Sequence, residues 1–138
     1  MSKIAPFILF CLLRSCGYGG GVTEPGPGEE FSLHYGQRIA LEKGCLILTF
    51  KALAEDSRCP VGAVCVWQGN ARVVIDAWNP CSSVAAGSRE DLSLNTTLDP
   101  KEIAFGKYRV KLVNVSPYPI LNEEHPAGQY VIQLVVTQ

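Results

Sequence analysis

The sequence predicts an all-β fold: an antiparallel two-sheet β-sandwich of about seven short strands, with a small antiparallel β-barrel as the alternative. Three observations carry that expectation. Period-two alternation of apolar and polar residues recurs from residue 31 to residue 136, Gly, Pro and Asn turn signals separate the runs, and no run carries the apolar stripe of a helix.

Taken in order, Phe31, Leu33 and Tyr35 alternate with Ser32 and His34. Leu46, Leu48 and Phe50 share one face, and Ile47, Thr49 and Lys51 the other. Ala52 to Asp56 can supply at most one helical turn. Ala71, Val73 and Ile75 alternate with Arg72, Val74 and Asp76, and Leu92, Leu94 and Thr96 with Ser93 and Asn95. Tyr108, Val110 and Leu112 face away from Arg109 and Lys111. The last run puts Tyr130, Ile132, Leu134 and Val136 on one side. Turn signals between them include Tyr35-Gly36-Gln37, Lys43-Gly44, Asn79-Pro80, Asp99-Pro100 and Phe105-Gly106-Lys107.

Residues 1–15 read as a signal peptide: Lys3 is a positive n-region, and Ile4 to Leu13 are apolar but too few to span a bilayer. The end of that run, Leu13-Arg14-Ser15-Cys16, resembles the bacterial lipoprotein cleavage box, which implies lipidation of Cys16; Arg14 departs from the small uncharged residue usual there. The alternative is ordinary cleavage to a soluble secreted protein. Residues 16–30 then form a flexible Gly/Pro-rich tether with little apolar content to bury. Residues 31–138 form a single domain of about 108 residues, enough to bury roughly 65% of the unfolded surface.

The chain has 12 Lys and Arg against 13 Asp and Glu, without the basic stripe that nucleic-acid binding requires. The partners expected are the membrane, through the N-terminal lipid, and a protein or glycan. Of the 6 cysteines, Cys11 leaves with the signal and Cys16 takes the lipid. Cys45, Cys59, Cys65 and Cys81 remain as an even set in an exported chain, which points to two disulfides. Of the three connectivities, Cys59–Cys65 with Cys45–Cys81 is favoured. The first closes a Pro/Gly turn and the second joins the start of one strand to the end of another. In the chain-entropy picture they stabilise by about 2.4 and about 3.8 kcal/mol.

The stretch EDSRCPVGAVCVWQGNARV holds the densest pattern in the chain. Asp56-Ser57-Arg58-Cys59-Pro60, followed by Cys65, Trp67, Gly69 and Ala71, resembles a DSRCP…C.W.G.A signature of small uncharacterised bacterial exported proteins and lipoproteins. That resemblance implies an envelope location and no particular activity. Physically the stretch is a corner between two strands. Asp56 or Ser57 caps a turn, while Pro60 and Gly62 fold the loop back to bring Cys59 to Cys65. Trp67 is expected to plug one end of the core. Gly69-Asn70 turns the chain into the next strand. Arg58 is expected to pair with Glu55 or Asp56, or to lie across Trp67.

Other chemistries are less well served. Zinc needs four ligands with two to four residues between paired cysteines, whereas five intervene here and only His34 and His125 could add nitrogen. A redox pair more often has two intervening residues near a βαβ unit. Ser82, Ser83 and Ser116 lack a nearby base or a nucleophile elbow. Neither Glu29-Glu30 nor Glu123-Glu124 has the alternating pattern of a calcium loop. No catalytic residue, metal or cofactor is therefore expected. The leading expectation is a lipid-anchored, non-enzymatic binding or structural module of the envelope. The alternatives are a secreted protease inhibitor presenting Cys59–Cys65 or Ser116-Pro117-Tyr118-Pro119, and a glycan-acting enzyme drawing on Asp56, Asp76, Asp91 or Asp99.

Overall fold

The computed structural model describes residues 24–138. The signal peptide, Cys16 and the first part of the tether lie outside the described residues. Eight strands form two antiparallel sheets of four, a β-sandwich: β1 (Glu30–His34), β8 (Val131–Thr137), β7 (Tyr108–Ser116) and β6 (Glu102–Phe105) in one, β2 (Arg38–Leu41), β3 (Leu46–Asp56), β4 (Ala71–Asn79) and β5 (Ser88–Asn95) in the other. Among the described residues no helix is long and apolar enough to cross a membrane.

Alternation reads out as packing. Leu46, Leu48 and Phe50 on β3 meet Ala71, Val73 and Ile75 on β4, and all are fully buried. Val110 on β7 with Ile132 and Leu134 on β8 supply the opposite wall, also fully buried. Burying one such side chain stabilises by roughly 1.5–3 kcal/mol, so the two inner faces hold the sandwich closed. Two short strands are less visible in sequence: β2 and β6 have four residues each and pair along one side only. Ala52 to Asp56 form no helical turn. They extend β3, with register shifts between Phe50 and Ala52 and between Leu53 and Glu55. Such bulges bend and twist a strand.

Both expected disulfides are present. Cys45–Cys81 ties the start of β3 to the residues after β4, and Cys59–Cys65 closes a loop of sequence separation 6. Together they mark a chain that matures in an oxidising compartment outside the cytoplasm.

The sandwich has two distinct poles, separated by about 30 Å of strand. At one end Gly28 N–H donates to the Val136 carbonyl and Lys43 N–H to Glu24, so residues 24–29 lie against the pole where β1 begins. The Cys45–Cys81 bridge sits at this near end as well. At the far pole lie the β3–β4 loop (57–70), the β5–β6 loop (96–101) and the β7–β8 loop (117–130).

Candidate functional site

The motif residues form the hub of the far pole. Asp56 ends β3 and Arg58 turns back over it, its Nε and Nη2 donating to the two carboxylate oxygens at 2.8 and 2.7 Å. The Arg58 N–H also donates to Asp56 Oδ1, the side-chain cap expected of this turn. The guanidinium then reaches across to the other sheet. Nη1 donates to the Val115 carbonyl at 2.6 Å and Nη2 to the Pro117 carbonyl at 3.0 Å. The ring of Tyr118 lies over the guanidinium, 4.9 Å from its carbon to the ring centroid, in cation–π range. Arg58 is only 6% exposed. A desolvated cation with a bidentate carboxylate and two carbonyls is a fastener, because its charge and donors are already committed.

On the other side of the loop the hub is built of amides. Ser57 N–H donates to the Asn70 carbonyl, and Asn70 N–H to Ser57 Oγ, which closes the neck of the loop. The buried Asn70 side chain donates to Asn95 Oδ1 at 2.9 Å and accepts from the N–H groups of Thr97 and Leu98. Asn95 passes its own amide to the Pro100 carbonyl. These bonds hold the β5–β6 loop against the motif. Gly69 permits the arrangement, with φ +75° and its α-carbon so close to Ser57 and Arg58 that any Cβ would collide with their backbone.

The third tie is a parallel bridge between Val61 and Ile120, with Val61 N–H donating to the Pro119 carbonyl and Leu121 N–H to the Val61 carbonyl. Arg58, Asn70 and Val61 thus cross-link three loops that are far apart in sequence. Cys59–Cys65 closes the tip of the β3–β4 loop.

Trp67 does not plug the core; it is 50% exposed. The buried side chains at this pole are instead Arg58, Asn70, Asn95 and Tyr130. Trp67 is one of several exposed apolar side chains on these loops. Val64 within the disulfide ring and Val66 just after it are fully exposed, Val61 on the ring is exposed where it bridges Ile120, and Tyr118, Ile120 and Leu121 are exposed on the β7–β8 loop. A depression of about 150 Å³ lies next to Tyr118, lined by Arg58, Gln68, Thr96, Thr97 and Asn114. A larger gap of about 650 Å³ opens between edge strands β1 and β2, around Phe31 and Ile39, away from the motif.

Of the remaining carboxylate candidates, Asp76 and Asp91 stand directly opposite each other in the β4–β5 register, away from the motif. Asp76 pairs with Arg89 and Asp91 with Lys51 on the outer face of the β2–β5 sheet, and Asp99 is exposed in the β5–β6 loop. Arg89 is held above the usual guanidinium range by its bond to Asp76. His34 is exposed on β1, and His125 is half-buried, its ring edge-on to Tyr130 at 6.4 Å. Among the described residues no three His, Cys, Asp or Glu side chains converge as metal ligands.

Sequence reasoning missed the Asn70–Asn95 amide pair and the reach of Arg58 to Val115 and Pro117. A signal for the first was present in Asn95, a polar residue directly after buried Leu94. No protein-family model, curated protein or solved structure matches the chain.

Proposed function

We propose that this protein is an exported, lipid-anchored and non-enzymatic module of the bacterial envelope that binds a protein partner through its far pole. The observation that carries the reading is the coincidence of exposure and rigidity. Loops bearing Val64, Val66, Trp67, Tyr118 and Ile120 in solvent are cross-tied by a buried ion pair, a buried amide pair and a disulfide. A soluble domain gains no stability from displaying such residues, and contiguous exposed apolar surface marks interaction sites. Pre-ordering the loops lowers the entropic cost of association. Branched aliphatic side chains favour a protein over a glycan, whose hydroxyls they cannot satisfy.

The anchor fits the same picture. The described chain begins at the near pole, so a lipid on Cys16 followed by a Gly-rich spacer would turn the loops away from the membrane. Metabolic labelling with a palmitate analogue tests this: label is expected on the wild type and not on Cys16→Ser, and equal label on both removes the anchor. For the binding face, a photocrosslinker placed at Val66 in cells is compared with one at Ser93 on the outer sheet face. A discrete adduct from Val66 alone, lost on Tyr118→Ser, supports the reading, and identical patterns from both positions count against it.

One observation favours a narrower version, protease inhibition. The disulfide ring and the Ser116-to-Pro119 segment, proposed separately as inhibitory edges, lie side by side through the Val61–Ile120 bridge and form one wedge. A panel of proteases incubated with micromolar domain decides it, and an absence of inhibition closes it.

A further inference from the structure

The charges around the apolar pole narrow the partner. Within the three loops the exposed carboxylates are Asp99, Glu123 and Glu124. Arg58 is buried against Asp56, Arg72 stands opposite Glu55 in the β3–β4 register, and Lys101, two residues after Asp99, is the one exposed Lys or Arg within the three loops. Glu123 and Glu124 remain, and neither joins an ion pair among the described residues. They follow Ile120 and Leu121 directly, and the Glu123 N–H donates to the Ile120 carbonyl, which keeps the acidic pair at the rim of the patch. Leu121 in turn packs 3.6 Å from the position of a Gly62 side chain, against the disulfide ring.

We propose that the far pole docks a basic, amphipathic segment of a partner protein. This rests on the pole being the binding face. Apolar side chains of the segment cover Val64, Trp67, Tyr118 and Ile120, while its Lys or Arg residues meet Glu123 and Glu124. Complementary rim charges steer encounter and select among partners more than they add affinity. An anionic lipid surface is repelled by the same carboxylates. A second copy would set Asp99, Glu123 and Glu124 against the same three carboxylates, with Lys101 alone on its loops to offset them.

The test uses the intact domain with three labelled short peptides, alternating Lys with Leu, Glu with Leu, and Lys with Ser, followed by fluorescence anisotropy. The Lys/Leu peptide is expected to bind at least about tenfold more tightly than either control at about 0.15 M salt. The preference over Glu/Leu should shrink at about 1 M salt. Glu123→Gln/Glu124→Gln should abolish the preference with the unfolding midpoint unchanged, and Trp67→Ala/Tyr118→Ala should abolish binding in a domain that stays folded, at a midpoint lowered by loss of the Tyr118 ring from Arg58. Equal binding of Lys/Leu and Glu/Leu, still lost in the Trp67/Tyr118 variant, overturns the charge assignment while leaving the pole as a binding face. Binding of Lys/Leu indifferent to both variants overturns the proposal. So does pelleting of the domain with phosphatidylglycerol vesicles, or self-association in sedimentation that Trp67→Ala removes.

Discussion

Arg58 Nη1 donates to the Val115 carbonyl at 2.6 Å, joining the end of one sheet's longest strand to a strand of the facing sheet. Its partners within the motif, Asp56 Oδ1 and Oδ2, leave the guanidinium neutralised before it makes that crossing. The motif is therefore a structural device with a functional product. It holds three loops in one arrangement and leaves Trp67 on the outside of it.

Removing the clamp should be costly in a characteristic way. Arg58→Ala strands the Asp56 carboxylate beneath the loops and frees the buried Val115 carbonyl and the part-buried Pro117 carbonyl, with an expected loss of about 3–5 kcal/mol. Urea denaturation should show a lower midpoint at unchanged slope. Asp56→Leu/Arg58→Met, which removes both charges, should recover at least about half of that loss. A midpoint for Arg58→Ala within error of wild type would show that the ion pair is dispensable.

Gly69 and Gly62 make a paired comparison. Both have positive φ, but a Cβ at Gly69 would strike the Ser57–Arg58 backbone, whereas one at Gly62 meets only the Leu121 side chain at ordinary contact distance. Gly62→Ala should cost about 1–2 kcal/mol, from backbone strain alone. Gly69→Ala adds a collision with main chain that cannot rotate away, for about 3 kcal/mol or more. Equal losses would mean that the neck of the loop relaxes freely.

How much of this was legible follows from what alternation encodes. The inward faces of β3, β4, β7 and β8 were readable because apolar residues recur every second position and the opposite sheet needs such a face. Both disulfides were readable because Cys45, Cys59, Cys65 and Cys81 form an even set, and turn chemistry brought one pair together. Trp67 misled because bulk and apolarity place a residue inside only if a slot exists, and at this pole the buried side chains are Arg58, Asn70, Asn95 and Tyr130. The Arg58–Val115 tie depends on which strands face each other across the sandwich, and the Asn70–Asn95 tie on β4 and β5 being neighbours in one sheet. Period-two patterning carries no information about that. β2 and β6, at four residues each, are too short to show more than two alternations.

The two disulfides should separate stability from loop order. Cys45→Ser/Cys81→Ser opens a closure of sequence separation 36 between the main strands of one sheet, with an expected loss of about 3.8 kcal/mol. Cys59→Ser/Cys65→Ser should cost less, about 2.4 kcal/mol. Hydrogen exchange is expected to rise throughout β3 and β4 in the first variant. In the second it should rise only within loop 57–70, because the Arg58 and Asn70 ties persist. Faster exchange across the sheet in the second variant would contradict that division.

Tyr130 supplies a pH signature for the underside of the pole. Its side chain is buried, and its phenol is held above the usual range, first because burial disfavours the phenolate and then because the Asp56 carboxylate repels it; Arg58 opposes the shift. A free tyrosine ionises near pH 10. Below that value both native and unfolded states keep the proton and the residue's contribution is fully present. As pH rises past it, the unfolded state releases the proton first, the native state binds more protons, and stability falls towards the raised native value. Urea midpoints measured at about pH 8 and about pH 11 should therefore drop for the wild type, and drop less for Tyr130→Phe. Arg58→Ala removes the one opposing charge, so its alkaline loss should be steeper than wild type, and an identical slope in all three proteins would show that Tyr130 does not sense the clamp.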